Sequence, residues 1–179
     1  MSVLKIPAPA KLTVSILGAD WDAFWPVLKT ELEERFGPMD HLSPALPFAY
    51  TSYYDRELGT PISRLFASFE RLAPHDSLPE AKRAACELEK RHARPDGARV
   101  CNIDPGFLTQ ERLVLATGKN FTHRVYLRDG VFADLTLIYQ GKGWVSLPWT
   151  FRDYADPILQ EHLTRIRDTY RAQLDNLNA

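Results

Sequence analysis

Residues 99–154 decide the fold, and the informative parts read RVCNIDPGF (99–107), RLVLATGK (112–119), HRVYLRDGVFADLTLIYQ (123–140) and WTFRDY (149–154). β-Branched and aromatic residues dominate these parts, and turn-forming residues separate them, which is typical of consecutive β-strands. Polar and charged side chains recur along the same strands. We therefore expect a functional site, if the protein has one, to lie on this run of strands.

Hydrophobic spacing predicts the first elements of the chain. Apolar and polar residues alternate over residues 11–17, which predicts a strand that ends at Gly18. Apolar residues then recur every three or four positions, which predicts a helix from an Asp20 or Asp22 cap to Gly37.

The next segment predicts a hairpin and a second helix. Residues 47–54 and 62–69 are rich in strand-forming residues, and the residues between them predict a long connecting loop. Ser77 and Glu80 have the spacing of a capping box for a helix that reaches His92.

A last helix begins at Asp156 and Pro157, with the residue types of an N-cap and a first helical position. Its apolar spacing fits core packing and also a seam between two helices. The order of the first six elements matches the split βαβ arrangement. We predict one α+β domain over residues 1–179, with a mainly antiparallel sheet, helices on one face, a ferredoxin-like core, extra C-terminal strands and a closing helix.

The net charge and the spacing of the cysteines limit the classes of function that the sequence allows. The 22 basic and 23 acidic residues leave a net charge of −1, so we expect no binding to nucleic acid or to an anionic membrane. The N-terminal residues are not typical of a signal peptide, and the apolar runs are shorter than about 20 residues, so we expect neither a signal peptide nor a membrane-spanning segment. Cys86 and Cys101 lack CxxC spacing, which predicts no metal site. We expect a cytoplasmic protein, and the sequence leaves any cofactor unknown.

The hairpin at residues 128–130 has two registers to choose between. A two-residue turn would mix polar and apolar side chains on each face. A three-residue loop with Gly130 in the left-handed conformation pairs Leu127 with Val131 and Arg124 with Asp134. We predict the second register because it separates polar from apolar residues. One face then carries His123, Val125, Leu127, Val131, Ala133, Leu135 and Leu137, and the other Arg124, Tyr126, Phe132, Asp134 and Thr136.

These strands supply the candidate site residues. The candidate ligand-binding residues are Arg124, Lys119, Tyr126, Thr136 and Asn102, and the candidate acids, bases or cation ligands are Asp104, Asp134 and Glu57. Each has a structural alternative: the Arg124–Asp134 pair also fits a surface salt bridge, and residues 102–106 also fit an Asx-type turn. We interpret His123 as a core histidine, Trp149 as a core residue and Asp153 as a hydrogen-bond anchor.

Strong single-motif enzyme signatures, such as GxxxxGK[ST], GxGxxG, HExxH and GxSxG, are absent. The combined series FGPMD, TSYYDRELG, NIDPGF, LVLATGK, HRVYLRDGVFADLTL and WTFRDY resembles domain-of-unknown-function family 4416 of bacteria. The resemblance covers nearly the whole chain, and it adds interest to its recurring polar positions: Asn102, Asp104, Lys119, Arg124, Asp134 and Asp153. Some members are labelled GTP-binding, but this chain has neither a phosphate-binding loop nor an NKxD stretch, so we do not carry that label over.

Two functions follow as hypotheses. The first is a protein that binds or processes a small ligand bearing phosphate or carboxylate, held by Arg124 and Lys119. The second is a non-enzymatic interaction module or homodimer that uses the same sheet face or the C-terminal helix.

Overall fold

The structure is a computed structural model that describes residues 3–177. Its strands are β1 (Ala10–Gly18), β2 (Met39–Leu42), β3 (Leu46–Pro47), β4 (Ser63–Ala73), β5 (Cys101–Leu108), β6 (Arg112–Thr117), β7 (Arg124–Arg128), β8 (Val131–Gln140) and β9 (Gly143–Ser146). Its α-helices are α1 (Trp21–Phe36), α2 (Asp55–Leu58), α3 (Leu78–Arg91) and α4 (Pro157–Leu177). The predicted α+β class and closing helix are confirmed.

All nine strands form one antiparallel sheet, and their main order is β2-β4-β1-β5-β6-β8-β7. β3 pairs with β4, and β9 pairs with β8. Helix α1 connects β1 to β2, and α3 connects β4 to β5, so each helix crosses over one intervening strand. The ferredoxin-like assignment of these first elements stays a prediction.

Helices cover both faces of the sheet. α1 and α3 pack on a face made of apolar side chains, which we call the apolar face. We predicted all helices on one face, but α4 packs its apolar stripe on the opposite face, against Phe66, Leu108, Leu113 and Leu137. The stripe consists of Leu159, Leu163, Ile166, Tyr170 and Leu174.

The helix boundaries agree with the predictions, whereas two of the three predicted caps do not form. Asp20 occupies the N-cap position of α1 without a side-chain capping bond. Ser77 donates its hydroxyl to the carbonyl of Pro74, so the predicted capping box does not form. Asp156 does cap α4, because its Oδ1 accepts the N–H of Ile158 at 2.8 Å.

The predicted hairpin of residues 47–54 and 62–69 is largely wrong. Only the two residues of β3 pair with β4, and β2, which we did not predict, supplies a longer partner. The aromatic side chain of Phe48 packs with Leu17, Leu58 and Ile62 instead of extending a strand. Burial of aromatic residues under a loop leaves the same composition signal as a strand does.

The central hairpin has the predicted pairs between Arg124 and Asp134 and between Tyr126 and Phe132. Its turn differs, because both Asp129 and Gly130 have positive φ, as in a two-residue turn. Arg128 lies opposite Val131, and the register shifts between Tyr126 and Arg128, so Leu127 is the extra residue of a bulge in β7. Our prediction thus put the bulge in the turn, whereas the strand carries it.

A second irregularity corrects the predicted faces of β8. Leu113 lies opposite Leu137, and Val114 lies opposite Leu135, so one extra residue of β8 is accommodated between them. Val131 therefore packs on the apolar face and Leu137 on the opposite face, although strict alternation predicts one shared face.

Candidate functional site

Polar side chains collect on the sheet face opposite α1 and α3. This surface, which we call the polar face, carries Lys11, Thr13, Ser15, Arg64, Ser68, Asn102, Asp104 and Asp134. All of them except Asp104 are buried. Burial of a polar group costs free energy unless it is hydrogen-bonded. We therefore describe the candidate site through the hydrogen-bond partners of these buried side chains.

The sheet forks between β5 and β6. These strands pair only from Gly106 opposite Leu115 to Leu108 opposite Leu113, so the first five residues of β5 have no strand on that side. Pro105 contributes to the fork because a proline has no N–H to donate to a neighbouring strand. Residues 102–106, predicted as an Asx-type turn, lie inside β5.

Helix α3 replaces the missing strand with two side chains. Glu89 accepts the N–H of Ile103 at 2.5 Å, and Lys82 donates to the carbonyl of Ile103 at 3.1 Å. Lys82 also donates to Asp104 at 2.9 Å. The backbone N–H and C=O of Ile103 are thus satisfied at the fork without a neighbouring strand.

A charged network extends from this edge of β5. Arg99 donates to both carboxylate oxygens of Glu57 at 2.7 Å and to Asn102 at 2.7 Å. Asn102 then donates to Asp104 at 2.6 Å, which completes a chain from Glu57 to Lys82. Three predicted site residues, Glu57, Asn102 and Asp104, therefore meet in one network. Arg99 and Lys82 also belong to this network, although the sequence analysis did not predict them.

Both carboxylates at the ends of this network are stabilised in the ionised form. Burial alone would raise the pKa of Asp104, but Lys82 and Asn102 hold that pKa below its usual value. Hydrogen bonds from Arg99 lower the pKa of Glu57. Asp104 and Glu57 are therefore hydrogen-bond acceptors at neutral pH, and neither is suited to act as a general acid.

The second group of predicted residues meets on β7 and β8. Arg124 Nε donates to Asp134 Oδ2 at 2.8 Å, and Arg124 Nη1 donates to the carbonyl of Lys119 at 3.1 Å. Thr136 Oγ1 lies 3.3 Å from Asp134 Oδ1. The cross-strand ion pair is confirmed, but only 11% of the Arg124 side chain and 3% of the Asp134 side chain are exposed, so it is not a surface salt bridge.

His123 belongs to this second group and not to the apolar face. Its Nε2 lies 3.3 Å from Asp134 Oδ2, and its ring stacks on Trp149 at 4.9 Å. Trp149 is itself 38% exposed, which corrects its interpretation as a core residue. His123 Nδ1 is buried and has no hydrogen-bond partner within the described residues.

Lys119 and two tyrosines lie between the two groups. The Lys119 ammonium is 5.1 Å from the centre of the Tyr53 ring, which packs on Tyr54 at 4.9 Å. Burial, assisted by the negative charge of Asp104, raises the pKa of Tyr54 to about 12, so its hydroxyl stays protonated. Tyr126, predicted as a ligand-binding residue, is exposed and packs on Phe132.

Arg64 is the largest omission from the predicted site. Its guanidinium lies between the rings of Phe48 and Tyr154 and forms a buried ion pair with Asp153. Asp153 thus has the predicted anchoring role. An arginine within the apolar strand sequence SRLFASF was the available signal, because a charge in such a strand is seldom buried without a partner.

Two structural findings concern function classes. Within residues 3–177, no three His, Cys, Asp or Glu side chains are grouped so that they could hold a metal ion. No helix of that part of the chain is long and apolar enough to cross a membrane.

The fold and site define the chain as an α+β protein with an antiparallel sheet that has one apolar and one polar face. The chain belongs to the family described as a domain of unknown function, DUF4416, whose profile matches residues 8–170. The resemblance inferred from the sequence motifs is therefore confirmed. No curated protein and no solved structure matches the chain.

Proposed function

We propose that the protein binds a small ligand bearing phosphate or carboxylate where the loop after β6 meets the polar face. The ammonium of Lys119 carries this proposal. It is exposed, rests on the Tyr53 ring and forms no ion pair within the described residues. Its contact with an aromatic ring leaves its charge available to an anion.

Arg124 supplies the second cationic group. Its Nε and Nη1 are engaged by Asp134 and by the carbonyl of Lys119, which fixes the plane of the guanidinium beside the Lys119 backbone. Nη2 has no hydrogen-bond partner among the described residues. A planar guanidinium held in place in this way loses little side-chain entropy when it donates to an oxyanion.

The acidic network supports recognition of the rest of the ligand. Glu57 and Asp104 are ionised acceptors, so they favour hydroxyl or amine donors on the ligand. The proposal covers binding and assigns no reaction. The alternative function is an interaction module or homodimer that uses the sheet face or α4. The apolar stripe of α4 is buried against the sheet, so of these two surfaces the sheet face remains for that alternative.

A thermal-shift titration with inorganic phosphate, glucose 6-phosphate, citrate and succinate tests the proposal. A ligand that binds only the folded state raises the unfolding midpoint, and the stabilisation grows with the logarithm of its concentration relative to its dissociation constant. We expect at least one of these anions to do so. Lys119→Ala weakens that binding roughly tenfold because a charge-assisted contact is lost.

Lys142→Ala is the matched control, because it removes the same charge from an exposed turn between β8 and β9. The control keeps the affinity of the parent protein. An unchanged midpoint with every anion, or equal losses in the two lysine variants, contradicts the proposal.

A further inference from the structure

A small pocket of about 50 Å³ opens between the segment that begins with β3 and the first turn of α4. Its lining includes three apolar and three charged side chains: Leu46, Phe48, Leu159, Arg64, Asp153 and Asp156. Tyr50 and Ile158 also line it and are 40% and 58% exposed, so the mouth of the pocket faces solvent. Apolar walls with a few polar groups are typical of sites for small molecules.

The buried guanidinium of Arg64 is incompletely hydrogen-bonded. Of its three nitrogens, only Nη2 has an acceptor within residues 3–177, the carboxylate of Asp153. Nε is buried without a partner. Nη1 has no acceptor among those residues either, and it is not enclosed as Nε is, so a molecule in the pocket can reach it. Because a buried donor without an acceptor costs free energy, an acceptor bound here would stabilise the site.

Asp153 supplies an acceptor beside these donors. Its Oδ2 accepts the N–H of Arg64 Nη2, and its Oδ1 has no donor among the described residues. Asp156 is engaged at both oxygens, because Oδ1 accepts the N–H of Ile158 and Oδ2 accepts the hydroxyl of Tyr50. The pocket therefore offers one unused donor group, on Arg64, and one unused acceptor, on Asp153.

The charge of the pocket disfavours an anion. A hydrogen bond from Tyr50 holds the pKa of Asp156 below its usual value, so Asp156 is ionised at neutral pH. One arginine and two aspartates leave the lining with a net charge of −1, which repels a carboxylate or phosphate. An ammonium ion has no acceptor for Arg64. A carboxamide is neutral and carries both a carbonyl acceptor and N–H donors, so it matches both unused groups.

We propose that this pocket binds a small carboxamide that has an apolar substituent. Its carbonyl oxygen accepts an N–H of Arg64 Nη1, its amide nitrogen donates to Asp153 Oδ1, and its substituent contacts Leu46 and Leu159. A volume of about 50 Å³ admits only a few heavy atoms, which makes propionamide a suitable probe. The pocket shares no lining residue with the Lys119 site, so the two proposals stand independently.

Titration of the full chain with propionamide, followed by heteronuclear NMR spectroscopy, tests the proposal. We expect saturable shifts of the Arg64 side-chain N–H signals and of the Ile158 backbone amide signal, with a dissociation constant in the millimolar range. Propionate and protonated propylamine are similar in size to the probe. Both bind at least about tenfold more weakly, because propionate is repelled by the lining and propylamine leaves Arg64 without an acceptor.

Ile158→Trp tests the location without removing the ion pair, because a larger side chain at the mouth closes the pocket, and we expect it to abolish the shifts. Val27→Trp, at a valine of α1 that is also 58% exposed, is the matched control and keeps the affinity of the parent protein. Three results overturn the proposal. They are the absence of saturable shifts, which assigns the pocket to water alone, binding of propionate as tight as that of propionamide, and an unchanged affinity in Ile158→Trp.

Discussion

The two faces of the sheet are covered in different ways. On the apolar face, α1 and α3 bury a continuous cluster that includes Val14, Leu28 and Ala85. On the polar face, α4 covers an apolar cluster at one end, while charged side chains form ion pairs across the rest of the surface. The same strands therefore carry mainly apolar side chains on one face and many charged side chains on the other.

The two faces are expected to contribute differently to stability. Burial of apolar area stabilises a fold without specific partners, whereas buried ion pairs often contribute little net stability. A chain selected only for stability has no physical reason to place Lys11, Arg64 and Asp134 on one buried face. We infer that the apolar face supplies most of the stability of the fold and that the ion pairs of the polar face add little to it.

The largest expected effect comes from breaking an ion pair on the polar face. Asp153→Ala leaves the guanidinium of Arg64, which is 5% exposed, without its carboxylate. We expect a loss of about 3–5 kcal/mol in the free energy of unfolding, measured by urea denaturation. The double variant Arg64→Met/Asp153→Leu regains most of that loss, because neither position then carries an unpaired buried charge. A double variant as unstable as Asp153→Ala contradicts our comparison of the two faces.

A large-to-small change tests the apolar face. Leu28→Ala removes a fully buried side chain of α1 and lowers the free energy of unfolding by about 2–5 kcal/mol, because a cavity forms in the core. Its neighbour Val27 is exposed, so Val27→Ala changes the same free energy by less than about 0.5 kcal/mol. Equal effects of the two changes would show that α1 does not pack as described.

A smaller effect concerns pH. His41 Nε2 and His162 Nδ1 lie 3.1 Å apart where β2 meets α4. Burial lowers the pKa of both imidazoles. At His41, the charges of His162 and Arg165 lower the pKa further and Asp40 opposes them. At His162, Arg165 lowers the pKa further and Glu161 opposes it.

Because these pKa values are depressed in the folded state, the unfolded chain binds more protons just below its ordinary histidine pKa of 6.5. The free energy of unfolding is therefore highest above that pH, falls as the pH drops from 6.5 toward the lower folded pKa values, and levels off below them. We expect His162→Gln to flatten this dependence in urea titrations between pH 7.5 and pH 5. Exposed His75→Gln is the control, and an equal flattening in both variants contradicts the assignment.

The predictable parts of the fold rest on local signals. The 3.6-residue spacing located α1, α3 and α4, since only one stripe of each is buried. Alternation along β7 and β8 predicted the Arg124–Asp134 pair, because a slip of one residue exchanges the faces. These signals depend on residues close together in the chain.

The parts that were missed depend on distant residues. Arg64 and Asp153 are 89 positions apart, and their pairing requires the strand order together with the path of the segment before α4. Lys82 and Glu89 follow an ordinary helical pattern, and their role appears only because β5 lacks a neighbour at Ile103. Pro105 was the one local signal of this missing neighbour, and it does not indicate which side chains replace the strand.

The fork between β5 and β6 has a mechanical consequence. Three residue pairs join two panels of the sheet, one ending at β5 and the other beginning at β6. Gly106 lies at the end of this junction, where an added Cβ would meet the carbonyl of Val114 at 2.8 Å. Because α4 packs on Leu108 of one panel and on Leu113 of the other, the helix acts as a splint that holds the two panels together across this narrow junction.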